Sequence, residues 1–103
     1  MIARIWHGKT PAALSDEYFD FLGRTGVPDY ASTPGNRGVW VLREIEGDTA
    51  HFLLISLWES VESIQRFAGK DVRRARYYPE DKDTLLEFEE QARHYDVLLA
   101  QAP

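Results

Sequence analysis

The stretch His51-Phe52-Leu53-Leu54-Ile55-Ser56-Leu57-Trp58 decides the fold. It is too short for a membrane span, and it reads as a strand. A strand with one wet face alternates apolar and polar residues, but this one is apolar on both faces, so both must be covered. Upstream, residues 39–46 read as a second strand, and Glu46-Gly47-Asp48-Thr49 reads as the tight turn joining the two. With Gly47-Asp48 as a two-residue loop, Glu44 falls opposite His51 and Leu42 opposite Leu53.

Working outward, residues 2–7 alternate, with Ile2, Arg4 and Trp6 on one face and Ala3, Ile5 and His7 on the other. Thr10-Pro11 then has the pattern of a helix start, and Leu14, Tyr18, Phe21 and Leu22 recur at helical spacing toward a stop at Gly23 or Gly26. Residues 26–38, with two prolines, three glycines and no period, read as a loop. On the other side, Ser60 is an N-cap candidate for a short helix through Val61, Ile64, Phe67 and Ala68, ended by Gly69. Residues 71–78 read as a further helical piece broken before Pro79. Residues 79–90 read as the start of another helical turn around Leu85, Leu86 and Phe88, and residues 94–100 as a last strand.

The resulting order, β-α-β-β-α-β, is the split βαβ or ferredoxin-like arrangement, an α+β sandwich with an antiparallel sheet in strand order 4-1-3-2. It occupies residues 1–103 as a single domain. Both helices cover one sheet face. The chain has no spare element for the other, and a homodimer with two sheets face to face is the economical cover.

Composition excludes several classes. Seventeen acidic against twelve basic residues give a net charge of −5, a poor balance for nucleic acid. No cysteine is present, so thiolate metal sites and cysteine nucleophiles are excluded. No apolar run is long enough to span a membrane and no secretory signal is visible, which predicts a cytoplasmic protein without a membrane partner. There is no GxGxxG, P-loop, GxSxG or HExxH pattern. Aromatic residues reach 13%, including three Trp.

Ser56-Leu57-Trp58 followed by Glu59-Ser60-Val61-Glu62-Ser63 resembles the dimeric α/β-barrel superfamily, in its antibiotic biosynthesis monooxygenase-like branch. His94-Tyr95-Asp96-Val97 and Ala75-Arg76-Tyr77-Tyr78-Pro79-Glu80-Asp81 look like one subgroup of that branch. The resemblance implies a homodimer, a cavity between sheet and helices in each subunit, and oxygenation of electron-rich aromatic or polyketide-like molecules without a cofactor. The haem-degrading members carry an Asn on the first strand, and a Trp and a His on the second helix. Those places fall near Arg4, Phe67 and Tyr77 here, so haem degradation is not expected.

Candidate site residues follow. His7 ends the first strand, His51 begins the third and His94 begins the fourth, so all three should gather near one sheet edge. His51 and His94 are candidate proton acceptors. A three-His metal site and plain strand-end packing are the alternatives. Trp6 and Trp58 are candidate pocket walls for a flat substrate, or simply core. Tyr77 and Tyr78 are candidate hydrogen-bond donors to a substrate oxygen, or amphipathic cover. Arg76 is a candidate for an anionic substrate, but Arg73, Arg74 and Arg76 beside Glu80, Asp81 and Asp83 also suit a solvated, salt-bridged surface. Asn36 and Arg37 suit either a gate or turn geometry. These readings favour a monooxygenase-like enzyme for an aromatic small molecule. A non-catalytic homodimeric ligand-binding or interaction module is the alternative, and a three-His metal protein the next.

Overall fold

A computed structural model describes residues 1–78, 81, 84–86, 89 and 91–101. Strand β1 (Ile2–Pro11) leads through a 3-10 turn (Ala12–Leu14) into helix α1 (Ser15–Arg24). Helix α2 (Gly26–Ser32) follows directly. The hairpin of β2 (Asn36–Glu46) and β3 (Thr49–Trp58) comes next, then helix α3 (Val61–Ala68) and strand β4 (Arg93–Asp96). The sheet is four-stranded and antiparallel in the order β2-β3-β1-β4, as the ferredoxin-like arrangement requires.

The hairpin register is the expected one, with Glu44 opposite His51 and Leu42 opposite Leu53. Along β3, Ala50, Phe52, Leu54, Ser56 and Trp58 are buried under the helices, while His51, Leu53, Ile55 and Leu57 on the opposite face are half-buried by their neighbours in the sheet. That second face carries Trp40 at 48% exposure and Leu42 at 46%.

Several boundaries differ from expectation. Strand β1 runs on to Pro11 because β3 offers a ladder ten residues long, and β1 pairs with all of it, from Ile2 opposite Trp58 to Pro11 opposite Thr49. Thr10 is therefore a buried strand residue and not a helix cap. The predicted loop at residues 26–38 contains α2. Its seven residues make barely two turns, too few to show a period. Pro28 is tolerated there because N–H groups in the first turn have no intrahelical acceptor. Asn36 and Gly38 form a bulge, with the Asn36 side chain bonded to Leu57 O at 3.2 Å and to Gly38 N at 3.1 Å. Asn36 thus serves turn geometry, and Arg37 pairs with Glu59.

Helix α3 forms as expected, with Ser60 and Ser63 in a capping box and Gly69 at its end. Residues 71–78 contain no helix; a turn at Val72 and Arg73 and an isolated bridge from Arg74 to Gln91 replace it. Leu85 and Leu86 are not helical, and Leu86 N bonds to Lys9 O at 2.8 Å along the edge of β1. The rest of the predicted helical turn, at Pro79, Glu80, Lys82, Asp83, Glu87, Phe88 and Glu90, lies outside the described residues. Strand β4 is only four residues long, pairing with Ile2–Ile5. Among the described residues no helix is long and apolar enough to cross a membrane.

Candidate functional site

The register separates the three histidines. His94 stands opposite Arg4 and shares the helix-covered face, whereas His7 and His51 lie on the other. The expected gathering of all three fails on parity, because β4 pairs with the start of β1 and an even-numbered partner puts His94 on the opposite face from His7. His7 Nε2 lies 3.1 Å from His51 Nδ1, with Glu89 Oε1 at 2.7 Å from His7 and Glu46 Oε1 at 3.2 Å from His51. Among the described residues no group of His, Asp or Glu has the geometry of a metal site.

On the covered face, Arg4 and Trp6 project side by side from β1. Tyr18 and Leu22 come from α1, Tyr30 from α2, Leu54 from β3 and Phe67 from α3. With Arg76, Tyr77, Tyr78 and Asp81 they line a cavity of about 30 Å³. That is room for about two water molecules. Outside it lies a groove of about 870 Å³, which shares Arg76 and Tyr77 with the inner cavity. Arg76 and Tyr77 thus stand between the two spaces.

The aromatic rings are held by one another. Tyr30 stacks on Phe67 with centroids 4.2 Å apart, and Trp58 packs against both. Trp58 is fully buried and donates from Nε1 to Ser56 Oγ at 2.9 Å. It supports the wall from behind and does not line the cavity. Trp6 lies over Gly8, where an added Cβ would sit 2.2 Å from the indole, so the close approach depends on glycine. Its Nε1 donates to Tyr77 Oη at 3.1 Å, and that hydroxyl donates to Glu89 O at 2.6 Å. The hydroxyl of Tyr78 donates to Asp29, which also pairs with Arg76 at 3.4 Å. Asp29 on α2 thus latches residues 76–78 over the cavity.

All four tyrosines of the cavity have raised pKa values, chiefly from burial. The Asp81 carboxylate adds to this at Tyr18 and the Asp29 carboxylate at Tyr78, while Arg4 opposes it at Tyr30 and the Trp6 hydrogen bond opposes it at Tyr77. They are neutral hydrogen-bond donors at physiological pH and cannot act as bases. His94 is pushed below the ordinary histidine value by burial and then by the Arg4 and Arg73 charges. Its Nε2 is buried without a hydrogen-bond partner among the described residues.

Of the residues singled out in the sequence, Trp6, Arg76, Tyr77 and Tyr78 line the cavity, whereas His51, His94 and Trp58 do not. Arg4, Phe67 and Tyr77, the places matched to the haem-degrading members, meet around it. Sequence reading missed Tyr18, Tyr30 and Asp81 as site residues and took Asp81 for surface. Asp81 is 3% exposed, and its Oδ2 accepts from Tyr78 N at 2.6 Å. The available signal was Arg4 itself, a charge on the same strand face as Ile2 and Trp6.

No family model matches the sequence, and no curated protein does. Solved structures do share its fold. A haem-degrading protein, MhuD, from Mycobacterium tuberculosis, with two haems in its active site, superposes with a TM-score of 0.66 at 20% identity, covering 99% of this chain and 100% of that one. A provisionally named antibiotic biosynthesis monooxygenase from Bacillus cereus gives 0.68 at 16% identity, over 100% of this chain and 96% of that one. A protein of unknown function from Nitrosomonas europaea gives 0.68 at 14% identity, over 99% and 93%. At these identities the likeness establishes the fold, and fold alone does not carry an activity.

Two outcomes follow from this geometry. Gly8→Ala should expel the Trp6 indole from its place beside Tyr77, costing about 1–3 kcal/mol as an overpacked core does. Urea unfolding and the near-ultraviolet dichroism of tryptophan measure this, and an unchanged midpoint with an unchanged spectrum would contradict it. His94 has a folded pKa below its unfolded value. Its contribution to stability is therefore complete above pH of about 6.5 and is lost as pH falls through the lower folded value. Melting temperatures between pH 7.5 and 5 should fall less steeply in His94→Gln than in the parent protein; parallel curves would show that His94 does not drive the loss.

Proposed function

Starting from the fold of the antibiotic biosynthesis monooxygenase-like proteins, we propose that this chain is a homodimeric, monooxygenase-like protein that binds a small aromatic molecule between its sheet and its helices. The observation that carries the reading is the cavity bounded by Trp6, Tyr30 and Phe67, with Arg4, Arg76 and tyrosine hydroxyls converging on it. Flat aromatic walls with a few fixed polar groups are the usual construction of a small-molecule site. The inner space of about 30 Å³ cannot hold a ring, so ligand entry displaces Arg76 and Tyr77 and joins the inner space to the groove outside.

In this reading Trp6 and Phe67 orient the ring, and Tyr77 and Tyr78 exchange their present acceptors for a substrate oxygen. The carboxylate of Asp81, beside Tyr18, accepts the proton of an acidic substrate hydroxyl. A substrate deprotonated in a closed, water-poor space is electron-rich enough to reduce oxygen itself, so the protein's part is binding, orientation and exclusion of water. A hydroquinone supplied as substrate should give protein-dependent oxygen uptake at an oxygen electrode, and 2-naphthol should quench tryptophan fluorescence saturably. Binding without uptake would leave the non-catalytic module as the function, and absence of both would refute an aromatic site.

The homodimer rests on the other sheet face. Ile5, Leu53, Ile55 and Leu57 form its centre, flanked by the exposed Trp40 and Leu42. A stable interface removes about 800 Å² from each partner, and a face of four strands suits that area. Sedimentation equilibrium should give twice the chain mass for the parent protein and a single chain mass for Ile55→Glu. A monomeric parent protein would refute the dimer.

A further inference from the structure

Arg4 is 2% exposed in the middle of the covered sheet face. An arginine does not give up its proton at ordinary pH, so it is buried as a cation. Its partners are neutral. Nη1 donates to Tyr30 Oη at 3.4 Å and Nη2 to Arg74 O at 3.0 Å, while Nε has no acceptor among the described residues. No carboxylate among the described residues pairs with it, although Arg24, Arg37, Arg43 and Arg76, all far more exposed, each have one. Pairing is therefore present where a charge needs it least and absent where burial makes it most costly.

The described surroundings add no counter-ion. Arg76 stands over the same Phe67 ring as Arg4, at 5.0 and 5.5 Å. Its charge is met by Asp29. From β4, His94 faces Arg4 across the ladder with a pKa lowered by burial first and then by the Arg4 and Arg73 charges, so it is no counter-ion. The Asp81 charge acts on Tyr18 and Tyr77, whereas burial and Tyr30 are what act on Arg4.

We propose that Arg4 is the anion-binding residue of the cavity and that the ligand is a flat aromatic carboxylate, its carboxylate on the Arg4 guanidinium and its ring over Trp6. The inference rests on the aromatic-site reading above and names the ligand class. The unsatisfied Nε, with the second hydrogen of Nη2 beside it, offers two donors that match the two oxygens of a planar carboxylate. Trp6 is two residues along the same strand face, about 6.6 Å away. That distance places a ring joined directly to the carboxylate against the indole. A larger dianion such as a phosphate ester suits neither the single unpaired cation nor the apolar walls.

The test compares 2-naphthoate with 2-naphthamide, a neutral compound of nearly the same shape, by calorimetry at pH 7 on the parent protein and on Arg4→Met. The acid should bind the parent protein at least about tenfold more tightly than the amide, as a charge-assisted pair in a dry site does. Arg4→Met should bring the two affinities together. Without ligand, Arg4→Met should melt no lower than the parent protein, because it removes an uncompensated buried charge. Equal binding of acid and amide to the parent protein would refute the anion site while leaving the aromatic cavity standing. Binding of neither compound would refute both. A preference that survives Arg4→Met, or a variant that melts far lower, would show that the guanidinium is a structural tie between Tyr30 and Arg74.

Discussion

Strand β3 carries apolar side chains on both faces, and each face has to leave water. The helices cover one, burying Phe52, Leu54 and Trp58 almost completely. Every feature of the candidate site depends on that layer. Helix α3 carries Phe67, α2 carries Tyr30, and the central strand beside β3 carries Arg4 and Trp6 into the space between. The opposite face, with Leu53, Ile55 and Leu57, has no covering helix among the described residues, and the dimer proposed above answers the same constraint there.

The covered layer is not uniformly apolar, and its exceptions give the site its chemistry. A buried cation without a counter-ion among the described residues, a buried aspartate and four tyrosines with raised pKa values lie within one small volume. Each costs stability that a purely apolar core would not forfeit. Charges of both signs, Arg4 and Asp81, line the same cavity. The wall between cavity and groove consists of long side chains from residues 76–78, a stretch without helix or strand. It is tied down by polar contacts, to Asp29 and Asp81 and to the backbone oxygens of Phe67 and Glu89. A lid held by polar contacts opens at lower cost than one held by packed apolar surface.

Much of the fold was legible because it is encoded locally. The Gly47-Asp48 turn fixes the hairpin register, the apolar run of residues 51–58 fixes the doubly covered strand, and Ser60 with Gly69 fixes both ends of α3. The misreadings share a different cause. Thr10-Pro11 has the local pattern of a helix start, but ten residues of β3 ladder outweighed it. Helix α2 is too short for a period and shows its purpose only through Tyr30 stacking on Phe67. His94 was placed with His7 and His51 by its position in the strand order, but the face a residue takes depends on register to a single residue.

The sequence by itself determined the order and direction of the strands, the two caps of α3, and the presence of a sheet face too apolar to stay bare. These follow from residue spacing, turn chemistry and solvent exclusion, all readable within a few positions. Only the tertiary structure decided which residues make the site. Arg4 and Tyr30 are 26 positions apart, Arg4 and Arg74 are 70 apart, and Trp6 and Tyr77 are 71 apart. No local pattern links them. They meet because the sheet register and the return of residues 74–78 across the covered face bring them together, and only there does Arg4 become a buried charge with no carboxylate partner among the described residues.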